Sequence, residues 1–131
     1  MSKPIGLLGG TFDPVHAAHL QLAHEAMARL DLGRVVWIPS GVPGHRDAPG
    51  TSVDDRLAML RLAVAGEPRF SVDERDARAG TPTFTIETLT RLRAELGPDQ
   101  PLVFLMGADQ LKAFDRWRDW QRLPALAHFG V

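Results

Sequence analysis

The sequence predicts an α/β fold in which a mostly parallel sheet carries helices on both faces. Short apolar runs alternate along the 131 residues with longer amphipathic segments of helical period. This alternation is typical of parallel strands joined by crossover helices. The length is also that of one ordinary domain, which is long enough to bury a sizeable core.

The apolar runs define the predicted strands, and the periodic segments define the predicted helices. Strands are predicted at residues 5–9, 35–38, 70–72 and 101–106, and a fifth apolar run begins at residue 127. Helices are predicted at residues 17–30, 54–65 and 83–96, with short helical pieces at 108–114 and 119–123. Ser52 is the expected N-cap of the second long helix, and Gly33 and Gly97 are the expected stops of the first and third. Residues 40–52 and 75–82 are predicted as loops.

Three unusual segments each follow a predicted strand directly: residues 9–19, 40–46 and 107–109. The carboxyl ends of parallel strands meet at one edge of a sheet, and ligands of open α/β folds bind at that edge. These segments are therefore expected to converge there.

The segment at residues 9–19, GGTFDPVHAAH, favours a polyphosphate ligand. Gly9 and Gly10 can adopt backbone angles closed to other residues, and Thr11 can donate to a phosphate oxygen. His16 and His19 share a helix face near the positive end of the helix dipole. The segment is neither a Walker loop nor the G-x-G-x-x-G fingerprint. A glycine turn with surface histidines is the alternative, and a zinc site lacks a third ligand at a fixed spacing.

Two further segments carry donors suited to an anion. His45 and Arg46 lie in a loop shaped by proline and glycine, where arginine can bind a phosphate in bidentate fashion. The alternative there is an exposed loop with solvated charges. Thr83 and Thr85 flank Phe84 at the start of the third long helix, which suits a carboxylate or phosphate. Ordinary capping by Thr83 is the alternative, and both can hold together.

Asp109 and Trp117 complete the set of candidate site residues. Asp109 follows Gly107 just after a buried strand, where a carboxylate can accept from ribose hydroxyls or help to hold a hydrated Mg²⁺. A helix N-cap or first-turn acid is the alternative. Trp117 lies between two arginines and is expected to be half-exposed, so that its indole can stack on a flat heteroaromatic ring. Packing at a hinge is the alternative for Trp117, and packing is also expected for Trp37 and Trp120.

Composition excludes several function classes. The net charge of −1 and the isoelectric point near 6.5 argue against nucleic-acid binding through bulk charge. The chain contains no cysteine, which excludes disulfides, thiolate zinc sites and cysteine nucleophiles. The sequence shows no signal peptide and no apolar run long enough to span a membrane. A soluble cytoplasmic protein is the expectation.

The segment at residues 9–19 resembles the nucleotidyltransferase signature G-G-T-F-D-P-x-H-x-G-H. With residues 38–46 (IPSGVPGHR), residues 81–85 (TPTFT), Gly107-Ala108-Asp109 and Trp117, the whole chain is similar to bacterial nicotinate-nucleotide adenylyltransferases. The resemblance implies one Rossmann-like nucleotidyltransferase domain over residues 1–131. It implies transfer of AMP from ATP to nicotinate mononucleotide, giving deamido-NAD and pyrophosphate. The first motif alone would also fit pantetheine-phosphate adenylyltransferases and cytidylyltransferases.

The resemblance also implies roles for individual residues. ATP, accompanied by Mg²⁺, would be bound by Gly9, Gly10, Thr11, Phe12, His16 and His19. The mononucleotide would be bound by His45, Arg46, Thr83, Phe84, Thr85, Gly107, Asp109 and Trp117. Catalysis would rest on His16, His19 and Arg46 as hydrogen-bond donors and electrostatic stabilisers, with no metal ligand in the protein.

The chain departs from the family pattern in two places. Ala18 replaces the glycine that is usual between the two histidines, and the family's later element I-S-S/A-T-x-I-R does not occur in the 131 residues. The resemblance therefore implies a domain whose C-terminal part is missing. Such a chain is expected to self-associate as a homo-oligomer through the open sheet edge or to be a feeble catalyst. Two alternatives remain: a nucleotide-binding fragment without turnover, and an adenylyltransferase for nicotinamide mononucleotide or phosphopantetheine.

Overall fold

The computed structural model describes residues 3–12, 14–41 and 52–130, with only the backbone at positions 108 and 109. Its centre is a sheet of five parallel strands in the order β3-β2-β1-β4-β5. The strands are β1 (Ile5–Gly10), β2 (Arg34–Pro39), β3 (Phe70–Val72), β4 (Leu102–Leu105) and β5 (His128–Gly130). The predicted parallel α/β fold is confirmed, and each predicted strand is present with ends that differ from the prediction by at most one residue.

In the part of the chain that the structure describes, four α-helices and two short 3-10 helices connect the strands. The α-helices are α1 (Ala17–Leu30), α2 (Val53–Val64), α3 (Thr85–Leu96) and α4 (Ala108–Lys112). The 3-10 helices are Phe114–Arg116 and Trp120–Ala125. Among the residues that the structure describes, no helix is long and apolar enough to cross a membrane.

The helices cover both faces of the sheet, as predicted. On one face, α1 and α2 pack against the strands through Ala23, Ala26, Met27, Leu60 and Val64. On the other face, α3 packs through Ile86, Leu89 and Leu92, and Leu123 and Ala127 join them. Alternate residues of β1, β2 and β4 supply the strand side of each cluster. Burial on both faces explains why these strands have nearly continuous apolar sequences.

Two of the predicted helix-capping residues are confirmed by the structure, and two are contradicted. Ser52 is the N-cap of α2, and its Oγ accepts the backbone N–H of Asp55 at 3.2 Å. Gly97 ends α3 with φ 90°. The predicted stop of α1 at Gly33 is wrong, because Asp31 caps the helix in the left-handed conformation. Aspartate tolerates this conformation better than most residues.

The predicted capping of α3 by Thr83 is also wrong. Helix α3 begins at Thr85, and its N-cap is Phe84, with no side-chain capping bond. The Phe84 backbone is extended, its carbonyl accepts the N–H groups of Glu87 and Thr88, and its ring packs against the apolar cluster below. The start of this helix thus coincides with the packed Phe84 ring.

Candidate active site

The ends of three strands lie side by side, as the sequence predicts. Gly10 at the end of β1 pairs with Pro39 of β2, and Leu8 of β1 pairs with Leu105 of β4. The loops that follow these strands therefore emerge together at one edge of the sheet. His45 and Arg46, which belong to the loop after β2, lie outside the described residues, so their placement stays a prediction.

The turn after β1 has its unusual backbone angle at Phe12. Gly9 and Gly10 belong to the extended strand, whereas Phe12 has φ 51°. The prediction that the two glycines supply special backbone angles is therefore wrong. The Phe12 ring is 3% exposed and lies against Trp37 and His19, with ring centroids 5.5 and 4.9 Å away. Its packing holds a conformation that costs a non-glycine residue about 1–3 kcal/mol.

His16 and His19 meet at the start of α1. His16 is the exposed N-cap residue, and its ring stacks on that of half-buried His19 with centroids 3.8 Å apart. The structure therefore confirms the prediction that the two rings share one face. Ala18, which stands where the family has glycine, is exposed between them in the first turn.

The hydrogen bonding of His19 determines what its ring can offer. The backbone N–H of His16 donates to His19 Nδ1 at 3.0 Å. The neutral ring therefore carries its proton on Nε2, which is the donor that remains for a ligand. Partial burial, followed by the charge of neighbouring His16, lowers the pKa of His19 below 6.5. His19 is therefore suited to donate to an anion as a neutral imidazole.

Arg56 belongs to this site, although sequence reasoning missed it. Its side chain is 2% exposed, and Nη1 donates to the carbonyl oxygens of Thr11 and Ser40, each at 2.7 Å. These carbonyls follow β1 and β2, so one guanidinium joins the first two loops of the site. The sequence could have indicated the burial of Arg56, because it lies four residues before Leu60 and therefore on the apolar face of α2.

A second part of the site surrounds the start of α3. The Arg118 guanidinium lies 3.9 Å from the centroid of the Phe84 ring. Trp117, the neighbour of Arg118, is half-exposed as predicted and packs edge-on against Phe104 and Phe114. The structure thus brings the predicted residues of the 83–85 segment close to Trp117. Thr83 and Thr85 are both half-buried there.

The other two tryptophans differ in burial. Trp37 is completely buried in the sheet, as predicted. Trp120 is 36% exposed and touches the ring of Phe114, with centroids 5.9 Å apart, so it is only partly a packing residue.

Gly107 is the N-cap of α4, and its N–H donates to Gln110 Oε1 at 3.1 Å. Asp109 lies in the first turn of this helix, and its side chain is outside the described part.

A buried carboxylate supports the start of α3 and was also missed. Asp76 is 5% exposed, and it accepts hydrogen bonds from Thr88 Oγ1 at 2.6 Å and Arg91 Nη1 at 3.0 Å. The carbonyl of Asp76 also lies under Gly41, where an added Cβ would come within 2.8 Å of it. Asp76 therefore connects the first turns of α3 with the loop after β2.

Within residues 3–12, 14–41 and 52–130, no group of three histidine, cysteine or acidic side chains could hold a metal ion.

Comparison with known sequences agrees with the geometry. Residues 7–131 match the family described as Cytidylyltransferase-like. The chain is 52% identical over 131 residues to a Dechloromonas aromatica protein named "Probable nicotinate-nucleotide adenylyltransferase". It is 50% identical over 125 residues to a Marinobacter nauticus protein of the same name. The matches cover 100% and 95% of this chain but only 60% and 58% of those proteins. The chain thus spans about three fifths of the length of these relatives.

Solved structures share the fold at low sequence identity. The Plasmodium falciparum nicotinic acid mononucleotide adenylyltransferase, solved in complex with NaAD, superposes with a TM-score of 0.78 at 17% identity. The match covers 92% of this chain and 60% of that one. A candidate nicotinate-nucleotide adenylyltransferase from Vibrio parahaemolyticus gives a TM-score of 0.75 at 15% identity, covering 98% and 72% of the two chains. The fold, the arrangement of the strand-end motifs and the family match together show that this chain belongs to the cytidylyltransferase-like family.

Proposed function

We propose that this chain carries the site of a nicotinate-nucleotide adenylyltransferase, which transfers AMP from ATP to nicotinate mononucleotide. One observation carries the proposal: the stacked pair His16 and His19 follows the carboxyl end of β1, and Phe84 and Trp117 pack against the cluster that contains Phe104 of the neighbouring strand β4. A polyphosphate site and a site for a flat heteroaromatic ring are thereby available to one pair of reactants. Relatives that are about half identical bear the name of this activity.

The ATP phosphates would lie over the turn between β1 and α1. His19 would donate through Nε2, because its Nδ1 accepts the His16 N–H. The amino-terminal dipole of α1, a helix of 14 residues, adds positive potential. Gly9, Gly10 and Thr11 would bring backbone groups to the same phosphates.

The mononucleotide would lie on the side of α3 and α4. The first turn of α3, at Phe84 and Thr85, would receive the nicotinate carboxylate, because backbone N–H groups at a helix start favour an anion. Trp117 would stack on the pyridine ring. Thr83, Gly107 and Asp109 would line the remaining surface of this ligand.

The reaction needs positioning and charge stabilisation more than proton transfer. An oxygen of the mononucleotide 5′-phosphate attacks the α-phosphorus of ATP in line, a new P–O bond forms, and the bond to the pyrophosphate oxygen breaks. The nucleophile is already an anion, so no general base is required. His16, His19 and, in the loop after β2, His45 and Arg46 would stabilise charge on the transferring and leaving groups. Mg²⁺ would enter with ATP and reduce the charge of its phosphates.

Release of pyrophosphate tests the proposal. The chain is incubated with ATP and Mg²⁺ together with nicotinate mononucleotide, nicotinamide mononucleotide or phosphopantetheine. We expect pyrophosphate and deamido-NAD in equal amounts with nicotinate mononucleotide, and slower release with the other two acceptors. An adenylylated protein trapped after incubation with ATP alone would contradict direct transfer.

A second candidate is a module that binds both nucleotides without turnover. The chain spans about 60% of the length of its relatives, so binding and turnover are measured separately. Saturable binding of ATP and nicotinate mononucleotide without pyrophosphate release would identify this function.

A further inference from the structure

Arg56 is a buried cation behind the candidate ATP site. Its side chain lies on α2, behind the turn between β1 and α1, and is 2% exposed. Burial of an arginine is unfavourable unless its donors are satisfied. Here Nη1 donates to the carbonyl oxygens of Thr11 and Ser40, each at 2.7 Å, whereas the buried Nε has no hydrogen-bond partner among the described residues. These bonds are short for N–H···O bonds, as expected for a charged donor.

The two carbonyls belong to the loops that would face the ligand. The Thr11 carbonyl is part of the peptide that leads into Phe12, the residue with φ 51°. The Ser40 carbonyl is part of the peptide that leads into buried Gly41. The Ser40 N–H in turn donates to the Gly10 carbonyl at 2.8 Å, and Ser40 Oγ donates to Thr11 Oγ1 at 3.5 Å, so further hydrogen bonds join the ends of β1 and β2.

A cation bonded to a peptide carbonyl also polarises the N–H of the same peptide. Arg56 is thus placed to strengthen the Phe12 and Gly41 N–H groups as donors. It is also placed to hold the strained turn at Phe12 in one conformation. An apolar side chain of similar length could fill the space, but it could do neither.

We propose that Arg56 is a positioning residue for ATP: it fixes the Thr11 and Ser40 turns so that their peptides and His19 are arranged for the polyphosphate. The inference rests on the proposed function, because it assigns the ATP phosphates to this edge. The inference predicts that substitution of Arg56 weakens the binding of ATP but not the binding of nicotinate mononucleotide. A role in stability alone would weaken the binding of both ligands together.

The test compares three variants of the full chain: Arg56→Met, Arg56→Lys and the control Arg61→Met. Arg61 lies on the same helix but is exposed and pairs with Glu74 at 2.9 Å. The dissociation constants of a non-hydrolysable ATP analogue with Mg²⁺ and of nicotinate mononucleotide are measured by calorimetry. We expect Arg56→Met to weaken ATP-analogue binding about 10-fold or more, because small displacements of a phosphate site are costly. The dissociation constant of the mononucleotide should change less than about twofold. For the ATP analogue, Arg56→Lys should have an affinity between those of wild type and Arg56→Met, and the control Arg61→Met should match wild type.

A second measurement needs no ligand. In ¹H–¹⁵N spectra of the free chain, Arg56→Lys should shift the Phe12 and Gly41 amide signals more than Arg61→Met does. Equal loss of affinity for both ligands in the Arg56 variants, or unmoved Phe12 and Gly41 signals, would overturn the inference about Arg56. Neither result would contradict the proposed function. Binding of neither nucleotide by the wild-type chain would instead contradict the proposed function on which the inference rests.

Discussion

His19 is part of the start of α1, and in the proposed site it would also donate a hydrogen bond to ATP. Its Nδ1 accepts the N–H of His16, and its pKa lies below 6.5 because of burial and the nearby His16. Protonation would place a hydrogen on Nδ1 against the His16 N–H. The neutral ring is therefore the form that the folded protein prefers.

This preference predicts a pH dependence of stability. The unfolded chain takes up the His19 proton near pH 6.5, before the folded chain does. The stability from neutral His19 is therefore fully present above pH 6.5 and is lost as the pH falls toward the folded pKa. His19→Gln keeps an acceptor at the position where capping boxes use glutamine. Urea unfolding between pH 5 and 8 should show a smaller decrease below about pH 6.5 for this variant than for wild type. Identical pH profiles would contradict the prediction.

Trp117 and Trp120 allow a matched comparison of two neighbouring indoles. Both contact the Phe114 ring, but only Trp117 also packs on Phe104 of β4. Trp117→Ala should raise the KM for nicotinate mononucleotide about 10-fold, because stacking on a base is worth about 1–3 kcal/mol. The KM for ATP should stay within about twofold. Trp120→Ala should change neither constant, and an equal effect of the two substitutions would exclude selective stacking by Trp117.

At the residue scale, the motifs that line the site could be predicted, but the buried residues that hold these motifs in place could not. The spacing of His16 and His19 predicts a shared face, because a helical turn brings positions three apart together. The positive φ falls on Phe12 because of its buried ring, which depends on Trp37 and on the fold as a whole. Arg56 and Asp76 were missed because their partners are distant in sequence: Thr11 for Arg56, and Thr88 for Asp76.

Gly41, just after β2, packs closely against the backbone of the segment before α3. An added Cβ at Gly41 would lie 2.8 Å from the carbonyl oxygens of Asp76 and Ala77. Backbone atoms cannot move aside as easily as a flexible side chain can. The contact therefore requires glycine for close approach, without a left-handed backbone.

Substitution of this glycine tests the contact. Gly41→Ala should lower the free energy of unfolding by about 1–3 kcal/mol, as overpacking does in protein interiors. Gly66 is the control, because nothing lies within 4 Å of an added Cβ and its φ is not in the left-handed region. Gly66→Ala should be neutral or stabilising by up to about 1 kcal/mol, since alanine restricts the unfolded chain. Urea unfolding of both variants measures the difference, and equal effects would contradict it.

At the scale of helices and strands, the ends were less predictable than the elements. The Ser52 cap could be predicted because its partner, the Asp55 N–H, is three residues away. The start of α3 could not, because the Phe84 ring packs against a cluster drawn from several elements. The end of α1 was also mispredicted. The left-handed C-cap residue is Asp31, whereas the sequence suggested Gly33, two residues later, for this conformation.

The whole molecule follows from the alternation of apolar runs and helical segments. Strands that are buried on both faces need apolar residues at every position, so the apolar runs at residues 35–38 and 101–106 could be recognised as strands from the sequence alone. The strand order β3-β2-β1-β4-β5 was not predicted, because it depends on how the crossovers pack. The parallel arrangement was enough to bring the loops after β1, β2 and β4 to one edge.

The central claim is that ATP and nicotinate mononucleotide bind side by side at this edge, and ¹H–¹⁵N spectra of the labelled chain test it most directly. A non-hydrolysable ATP analogue with Mg²⁺ should shift the amide signals of residues 9–19. Nicotinate mononucleotide should shift the Thr85 amide and the Trp117 indole, while the Trp120 indole stays in place. Titrations that leave all of these signals unchanged, or a mononucleotide that shifts Trp120 and not Trp117, would contradict the claim.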